Sequence, residues 1–335
     1  MHPLFSVIIP CRNEERYIGS CLDSVLSPAN SPGEFEVFVV DGMSNDNTRN
    51  IVEKYVAGYP FVHLLDNPRL ATPFALNLGI QASTGTFIVI ISAHAWFPEN
   101  YFHLLIDWHS RIEADCIGGV CVTEVKNKNP LSNSIKKVLS SRLGVGNAEF
   151  RLGTREAKEV DTVAFGCYRS DVLKKTGLFN ELLIRNQDIE LNKRLIKNGG
   201  KIFLVPDVSY VYYARETLCE LAKNNFGNGK WNILTLYYSG DLSSISLRHL
   251  VPFFFIISLI LPVILAPVWW PLALISAGIL VFYLAVVFIA SLRLNSKDVS
   301  VGNLIRSFIS LHFSYGFGSL IGFCWLFGRL FKQKK

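Results

Sequence analysis

Asp41 stands where an apolar run gives way to a polar loop. Phe35 to Val40 is aromatic and β-branched apart from Glu36, and Asp41-Gly42 then stops it ahead of Ser44, Asn45, Asp46 and Asn47. A buried strand in an α/β sheet has this apolar character, and ligands of such sheets bind at the strands' carboxyl ends, so Asp41 is aimed at the usual crevice. A plainer reading is an Asp-Gly turn that merely ends the strand. Ser92-Ala93-His94-Ala95 follows a second such run, Thr86 to Ile91, and would lie beside the Asp41 loop. An acidic pair, Asp188 and Glu190, opens a helical pattern, where the helix dipole alone would favour carboxylates. Phe226 to Trp231 adds Lys230 and Trp231 on an amphipathic segment, where a snorkelling lysine at an interface is the simple alternative.

The elements that must position these groups read as strand, helix, strand, helix, strand. Ser6 to Pro10 is the first strand, and Tyr17 to Leu26 carries apolar residues at helical spacing. The Asp41 strand follows, then a helix over Ile51 to Val56 and a strand over Phe61 to Leu65. This order predicts an α/β fold with a Rossmann-like, mostly parallel sheet and helices on both faces. The turn after the first strand, Pro10-Cys11-Arg12-Asn13-Glu14-Glu15, contains no glycine, so the Gly-x-Gly-x-x-Gly of a nicotinamide-binding protein is missing. Pro73 suits the start of a helix. Helices are expected over Pro98 to Glu113 and Glu181 to Lys197, with strands near Cys116 to Val122 and Lys201 to Val205. Residues 126 to 160 read as a partly helical insert near the acceptor side.

Half of the 335 residues are hydrophobic, and the excess is local. Leu250 to Leu292 contains no Asp, Glu, Lys, Arg or His, which suits two spans of roughly 20 residues across a hydrocarbon core about 30 Å thick. The expected division is a domain over 1–245 and a membrane region over 246–335, with spans at about 251–268 and 272–292 joined by Trp269-Trp270-Pro271. A third apolar segment, 307–327, has basic flanks on both sides (Arg293, Lys297 and Arg306 before; Arg329, Lys332, Lys334 and Lys335 after). A full crossing would put one flank on the wrong side, which favours an interfacial or re-entrant segment over a third span. The net charge of +6 is spread through the chain and around the apolar segments, which points to a membrane surface and not to nucleic acid. Seven cysteines show no CxxC pair, as expected of reduced, buried thiols. The first residues enter a strand without a signal-peptide pattern, which predicts a multi-pass protein of the cell's inner (plasma) membrane with its catalytic domain cytoplasmic.

Four stretches in order, Ser6 to Glu15, Val40 to Thr48, Thr72 to Ile80 and Asn186 to Leu191, resemble the family 2 glycosyltransferases of GT-A fold. The likeness is strongest to the family's membrane-anchored, succinoglycan-glucosyltransferase-like subgroup and covers roughly residues 5 to 235 plus the hydrophobic tail. The resemblance implies an inverting transfer of a sugar from a nucleotide-sugar donor, expected to be a UDP-sugar, to a lipid-linked, polyprenyl-diphosphate acceptor in polysaccharide or surface-glycan synthesis. It makes Asp41 the uracil acceptor, with Pro10, Arg12 and Glu14 nearby on the nucleoside. It aligns Ser92-Ala93-His94 with the Asp-x-Asp motif, often Asp-Ala-His in this subgroup, so Ser92 and Ala93 fall at the donor and His94 becomes the ligand of a divalent cation, Mn²⁺ or Mg²⁺. Ser92 departs from the pattern by offering a hydroxyl where a carboxylate is usual.

The resemblance further makes Asp188 the catalytic base, with Gln187 where the family carries Glu. Glu190 would orient the acceptor, although a solvated helix face explains it equally well, and Lys230 and Trp231 stand for the end of a Gln/Arg-x-x-Arg-Trp motif that meets the acceptor. The departures at Ser92 and Gln187 leave an alternative open, a sugar-nucleotide-binding membrane scaffold with impaired catalysis. A processive, product-extruding synthase would need more spans than two or three.

Overall fold

The computed structural model describes residues 3–27, 35–241 and 245–333. They form two compact units, one comprising residues up to Val122 together with Ala148–Tyr213, the other Thr123–Asn147 together with the chain from Ala214 onward.

The first unit alternates β1 (Phe5–Cys11), α1 (Ile18–Val25), β2 (Phe35–Asp41), α2 (Thr48–Gly58), β3 (Val62–Asp66), α3 (Thr72–Ala82) and β4 (Phe87–Ile90). β2 pairs in parallel with β1 and β3, and β1 pairs in parallel with β4, with Cys11 opposite Asp41 and Asp41 opposite Asp66. The apolar runs are continuous because both faces are covered. Val7, Ile9, Val37 and Val39 point into one core with α1, while Ile8, Phe38 and Val40 point into the other with Ala75, Leu76 and Ile80 of α3. Each fully buried aliphatic side chain contributes about 1.5–3 kcal/mol. Glu36, the exception in its run, accepts hydrogen bonds from Ser6 Oγ and from the backbone N–H groups of Thr84 and Gly85 at the amino edge of the sheet.

Beyond β4 the unit carries β5 (Ala95–Trp96), α4 (Tyr101–Arg111), β6 (Cys116–Glu124), α5 (Pro130–Leu139), α6 (Arg142–Val145), α7 (Glu149–Leu152), β7 (Lys158–Glu159), β8 (Cys167–Arg169), α8 (Ser170–Thr176), α9 (Gln187–Lys197) and β9 (Ile202–Tyr213), with α5 and α6 falling in the second unit. Nine strands among the described residues make one sheet in the order β3-β2-β1-β4-β8-β6-β9-β5, with β7 also on β9. The expected parallel sheet is thus completed by antiparallel pairs, β8 with β4 and β6, and β9 with β5 and β7. β9 runs well past the strand expected to stop at Val205, because Pro206 falls between its pairing with β7 at Phe203-Leu204 and with β5 at Val211-Tyr212 and so removes no donor those pairings use. The helix expected from Glu181 begins at Gln187, after a loop held by Asn77 and Arg69.

The second unit holds α5, α6, α10 (Leu218–Ser239), α11 (Val251–Leu265), α12 (Pro271–Leu294) and α13 (Val301–Gln333). Its core is Ile135 and Val138 of α5 with Leu221, Val287, Leu304, Phe308 and Leu311. Where the sequence places a division near residue 245, residues 123–147 and 214–245 share this unit with the apolar helices, because the apolar face of α5 closes on α13. Leu247–Leu265, Pro271–Leu294 and Val301–Arg329 are long and apolar enough to cross a membrane. Phe254, Val268, Trp269, Trp270, Val281 and Phe282 stand exposed on α11, α12 and the turn between them, as lipid-facing side chains would. The third apolar segment belongs to one unbroken helix, α13; Lys334 and Lys335 of its basic flank lie outside the described residues. Five of the seven cysteines are buried as expected, whereas Cys219 and Cys324 are exposed, and all seven are free thiols.

Candidate active site

The loops that follow β1 and β2 are tied to each other residue by residue. Gly42 N–H donates to Cys11 O (2.8 Å), Asn13 N–H to Ser44 Oγ (2.9 Å), Asn45 N–H to Asn13 Oδ1 (2.9 Å), Glu14 N–H to Thr48 Oγ1 (2.6 Å) and Asn47 N–H to Glu15 Oε2 (2.9 Å). Asp46, one residue before the N-cap Asn47 of α2, accepts from Thr48 N–H at 3.0 Å. The chain reaches this arrangement by placing Asn13 and Met43 in the left-handed region, at φ 57° and 55°. Leu70, Phe165 and Asn186, the other non-glycine residues there among those described, sit in neighbouring loops. Such backbone costs of order 1–3 kcal/mol per residue and gathers where a binding site over-determines the chain.

Asp41 is buried and accepts from Ser44 N–H (3.1 Å) and Ser44 Oγ (2.5 Å), with the Arg49 guanidinium 3.7 Å away. Arg49 also reaches Asp66 at 2.6 Å, so one cation bridges the ends of β2 and β3. Asp41 therefore closes its own turn, as the plainer reading held, and a carboxylate's remaining lone pairs can still accept a further donor. Burial, with Asp41 beside it, drives the Cys11 thiol far above its ordinary range and leaves it inert. Pro10 pairs opposite Val40. Arg12 is exposed and its guanidinium has no partner among the described residues. A side chain at Gly42 would come within 3.3 Å of Arg12 Cβ and 3.1 Å of Leu70 O, so the glycine lets three loops approach one another.

At the end of β4, Ala95 N–H donates to Ser92 O (3.0 Å) and His94 N–H to Ser92 Oγ (3.3 Å), so Ser92 closes a tight turn in which Ala93 is buried. Tyr213 N–H holds His94 O at 3.0 Å, tying this turn to the end of β9. His94 Nε2 lies 2.9 Å from Glu14 Oε1, and the Tyr17 ring meets the imidazole edge to face at 5.0 Å. Among the described residues no three His, Cys, Asp or Glu side chains converge as a ready metal site. A divalent cation here would find one imidazole nitrogen and the Ser92 hydroxyl, with the Glu14 carboxylate held on the other ring nitrogen, a donor set that fits once a diphosphate supplies the remaining oxygens.

Asp188 occupies the first turn of α9, behind Asn186 in the left-handed conformation at φ 59°. Asn192, fully buried, fixes this helix by accepting from Tyr168 Oη (2.8 Å) and donating to Thr162 Oγ1 (2.9 Å). Asp188 lies one turn before Asn192, which meets Tyr168 of β8. The Asp188 side chain keeps access to solvent, yet protein crowds it closely enough for desolvation to raise its carboxyl above the ordinary value of 3.8, against the opposing pull of two backbone N–H groups. Gln187 Oε1 beside it is buried with no hydrogen-bond partner among the described residues.

Glu190 turns away from solvent into a two-pronged pair with Arg194 (2.9 and 3.0 Å), and Arg194 in turn donates to Thr176 O and Leu178 O. That commitment braces α9 against the turn after α8 and takes Glu190 off the solvated face of the helix. Lys230 and Trp231 lie on α10 in the second unit, where Trp231 stacks on Tyr238 at 6.1 Å between ring centres. The sequence reading passed over Arg49, Tyr17 and the link of Arg69 and Asn77 to Glu181. Each acts on residues distant along the chain, and only the charge of Arg49 and Arg69 marked them.

The profile of glycosyl transferase family 2 matches residues 6–176. A Methanococcus voltae dolichyl N-acetyl-alpha-D-glucosaminyl phosphate 3-beta-D-2,3-diacetamido-2,3-dideoxy-beta-D-glucuronosyltransferase is 28% identical over 277 residues, covering 77% of this chain and 86% of that protein. The succinoglycan biosynthesis protein ExoA of Rhizobium meliloti (strain 1021) is 28% identical over 226 residues, 67% of each chain. Among solved structures, the mannosyltransferase PcManGT of Pyrobaculum calidifontis in complex with GDP-Man and Mn²⁺ superposes with TM-score 0.59 at 17% identity, covering 97% of this chain and 88% of that one. Staphylococcus aureus TarS 1-349 with UDP-GlcNAc gives 0.52 at 17% identity, covering 95% and 90%. The sheet, the loops at its carboxyl edge and the match across half the sequence agree: the chain belongs to glycosyl transferase family 2.

Proposed function

We propose that this family 2 glycosyltransferase moves a sugar, with inversion, from a UDP-sugar to a membrane-held acceptor of the polyprenyl-diphosphate type, with its catalytic unit on the cytoplasmic face of the inner membrane. The observation that carries the reading is Asp188, a carboxyl open to solvent yet desolvated enough to have a raised pKa. That is the property a base needs to take a proton from an acceptor hydroxyl as it attacks the anomeric carbon. On the donor side, the unpartnered Arg12 guanidinium supplies positive charge, and Asp41 at the end of β2 offers an acceptor to a base N–H. His94 and Ser92 would hold a divalent cation, which when bound offsets charge on the leaving diphosphate. The apolar helices would confine the enzyme to the surface where a lipid-linked acceptor lies, which raises the effective concentration of that acceptor. The Methanococcus relative, by its name, acts on a dolichyl-linked sugar phosphate, which supports such an acceptor. The TarS complex with UDP-GlcNAc supports the uridine donor, while the Pyrobaculum complex holds a guanosine one.

Membranes containing the chain, incubated with a panel of radiolabelled UDP- and GDP-sugars, test this directly. Label from a UDP-sugar is expected in the organic-extractable fraction. In Asp188→Asn the transfer should fall by about 10²–10⁴-fold while calorimetry finds donor affinity unchanged. Near-normal transfer by Asp188→Asn would reassign the base, and label taken only from a GDP-sugar would overturn the uridine donor.

A further inference from the structure

The turn that follows β4 has lost the carboxylate its family relatives usually carry, and a carboxylate from elsewhere in the fold has come to it. Glu14, in the loop after β1, places Oε1 2.9 Å from His94 Nε2, and both side chains are largely covered, at 15% and 13% exposure. Glu14 is not free to swing, because its own backbone N–H is held by Thr48 Oγ1 at 2.6 Å and its carbonyl accepts from Tyr17 and Ile18 at the start of α1. The imidazole is equally confined, edge to face with Tyr17 at 5.0 Å and Tyr212 at 6.3 Å between ring centres. An ionised carboxylate only accepts, so the hydrogen between the two must ride on Nε2. In the neutral ring the lone pair is then on Nδ1, which has no hydrogen-bond partner among the described residues.

We propose that Glu14 is a positioning residue: it fixes His94 in the Nε2-protonated tautomer and so presents Nδ1 to the cation of the donor complex, supplying from the first loop the carboxylate that Ser92 does not. The inference rests on the reading of His94 as the cation-facing residue and deepens it. A carboxylate hydrogen-bonded to a ligating histidine raises the ring's basicity and fixes its orientation, and loss of such a partner typically costs 10–100-fold in metal affinity. The arrangement also explains how a Ser-Ala-His turn can serve where an Asp-x-Asp turn is usual, since a carboxylate from the first loop acts on the cation through the imidazole.

The test begins without metal or nucleotide. Long-range ¹H–¹⁵N spectra of the full chain in detergent, labelled at histidine and assigned by difference against His94→Ala, are expected to show His94 in the Nε2–H form with an unprotonated Nδ1. Glu14→Gln keeps a carbonyl acceptor and should retain that tautomer, whereas Glu14→Ala should release it to a mixture. Mn²⁺ binding in the presence of UDP, followed by electron paramagnetic resonance, should weaken by about tenfold or more in Glu14→Ala and by less in Glu14→Gln. An Nδ1–H tautomer in the native chain, or equal Mn²⁺ affinity in all three chains, overturns the proposal. Because Glu14→Gln preserves the hydrogen bond, it keeps the test readable if Glu14→Ala fails to fold. Failure of the transferase reading would appear in the radiolabel assay and leave the tautomer measurement standing, so the two can be told apart.

Discussion

As the proposed base, Asp188 would serve catalysis at a cost to stability. Its folded-state pKa lies above the unfolded value near 3.8, with desolvation as the leading cause. An acid shifted in this direction favours folding fully only below the unfolded pKa, and that contribution is lost as pH rises through the folded pKa. At neutral pH the ionised side chain therefore opposes folding, and Asp188→Asn should melt at the same temperature as the native chain or higher while transfer falls by about 10²–10⁴-fold. A melting temperature well below the native one would mean that the carboxylate is a structural acceptor. The same shift sets the acid limb of the pH–rate profile: kcat/KM should rise with pH through a midpoint above 3.8, and the limb should disappear from the residual activity of Asp188→Asn. Asp41 and Asp188 were legible in the sequence because each sits at an element boundary, a strand's end and a helix's start. The partners that decide their chemistry were not. The pairing of Glu14 with His94 and the closing of Ser44 on Asp41 are side-chain geometries that no spacing rule encodes.

At the scale of elements, the sheet can be read from sequence where both of its faces are covered and becomes obscure where it turns antiparallel. β1, β2 and β4 announce themselves as predominantly apolar runs, whereas β9 contains Pro206 and Asp207 and so reads as a strand only in part. The join between β1 and β4 is tight at its amino edge. A Cβ added to Gly85 would lie 2.5 Å from Ser6 Oγ and 2.7 Å from Ser6 N, and a backbone atom cannot step aside as a flexible side chain can. Gly85→Ala should therefore destabilise the chain by about 1–3 kcal/mol, the usual result of overpacking, and should also disturb the Glu36 network that accepts from Gly85 N–H. Gly58, at the exposed end of α2 with nothing within 4 Å of its added Cβ, is the control, and Gly58→Ala should be neutral or gain a few tenths of a kcal/mol. Thermal unfolding of the two variants side by side distinguishes a general intolerance of substitution from the specific close approach at Gly85.

Across the whole molecule the open point is what α13 does at the membrane, and its neighbour α10 supplies the argument. The two helices run side by side in the same direction: Ser310 Oγ donates to Leu218 O, Ser319 Oγ to Gly229 O, and Tyr237 meets Trp325 at 5.6 Å. Whatever depth α13 reaches between residues 310 and 325, α10 reaches too. Yet α10 carries Lys223, Asn225, Asn228, Lys230 and Asn232 within its 22 residues and is not among the helices apolar enough to span. Carrying that helix across hydrocarbon would desolvate both lysines, at roughly 2.5–3.5 kcal/mol each near the centre, and the asparagines besides. Lying along the interface costs neither helix its polar contacts, and it leaves Arg306 and Arg329 on one side, as the distribution of basic residues asks. On this ground α11 and α12 are expected to cross and α13 to lie with α10 at the surface. Exposed Cys219 on α10 gives an internal reference for the test. In sealed vesicles of one orientation, an impermeant maleimide should label Cys219 and a cysteine placed by Gln333→Cys in a Cys219→Ser, Cys324→Ser chain from the same side. Labelling from opposite sides would make α13 a third crossing and would require α10 to accompany it into the bilayer, with its lysines satisfied by partners that the described residues do not provide.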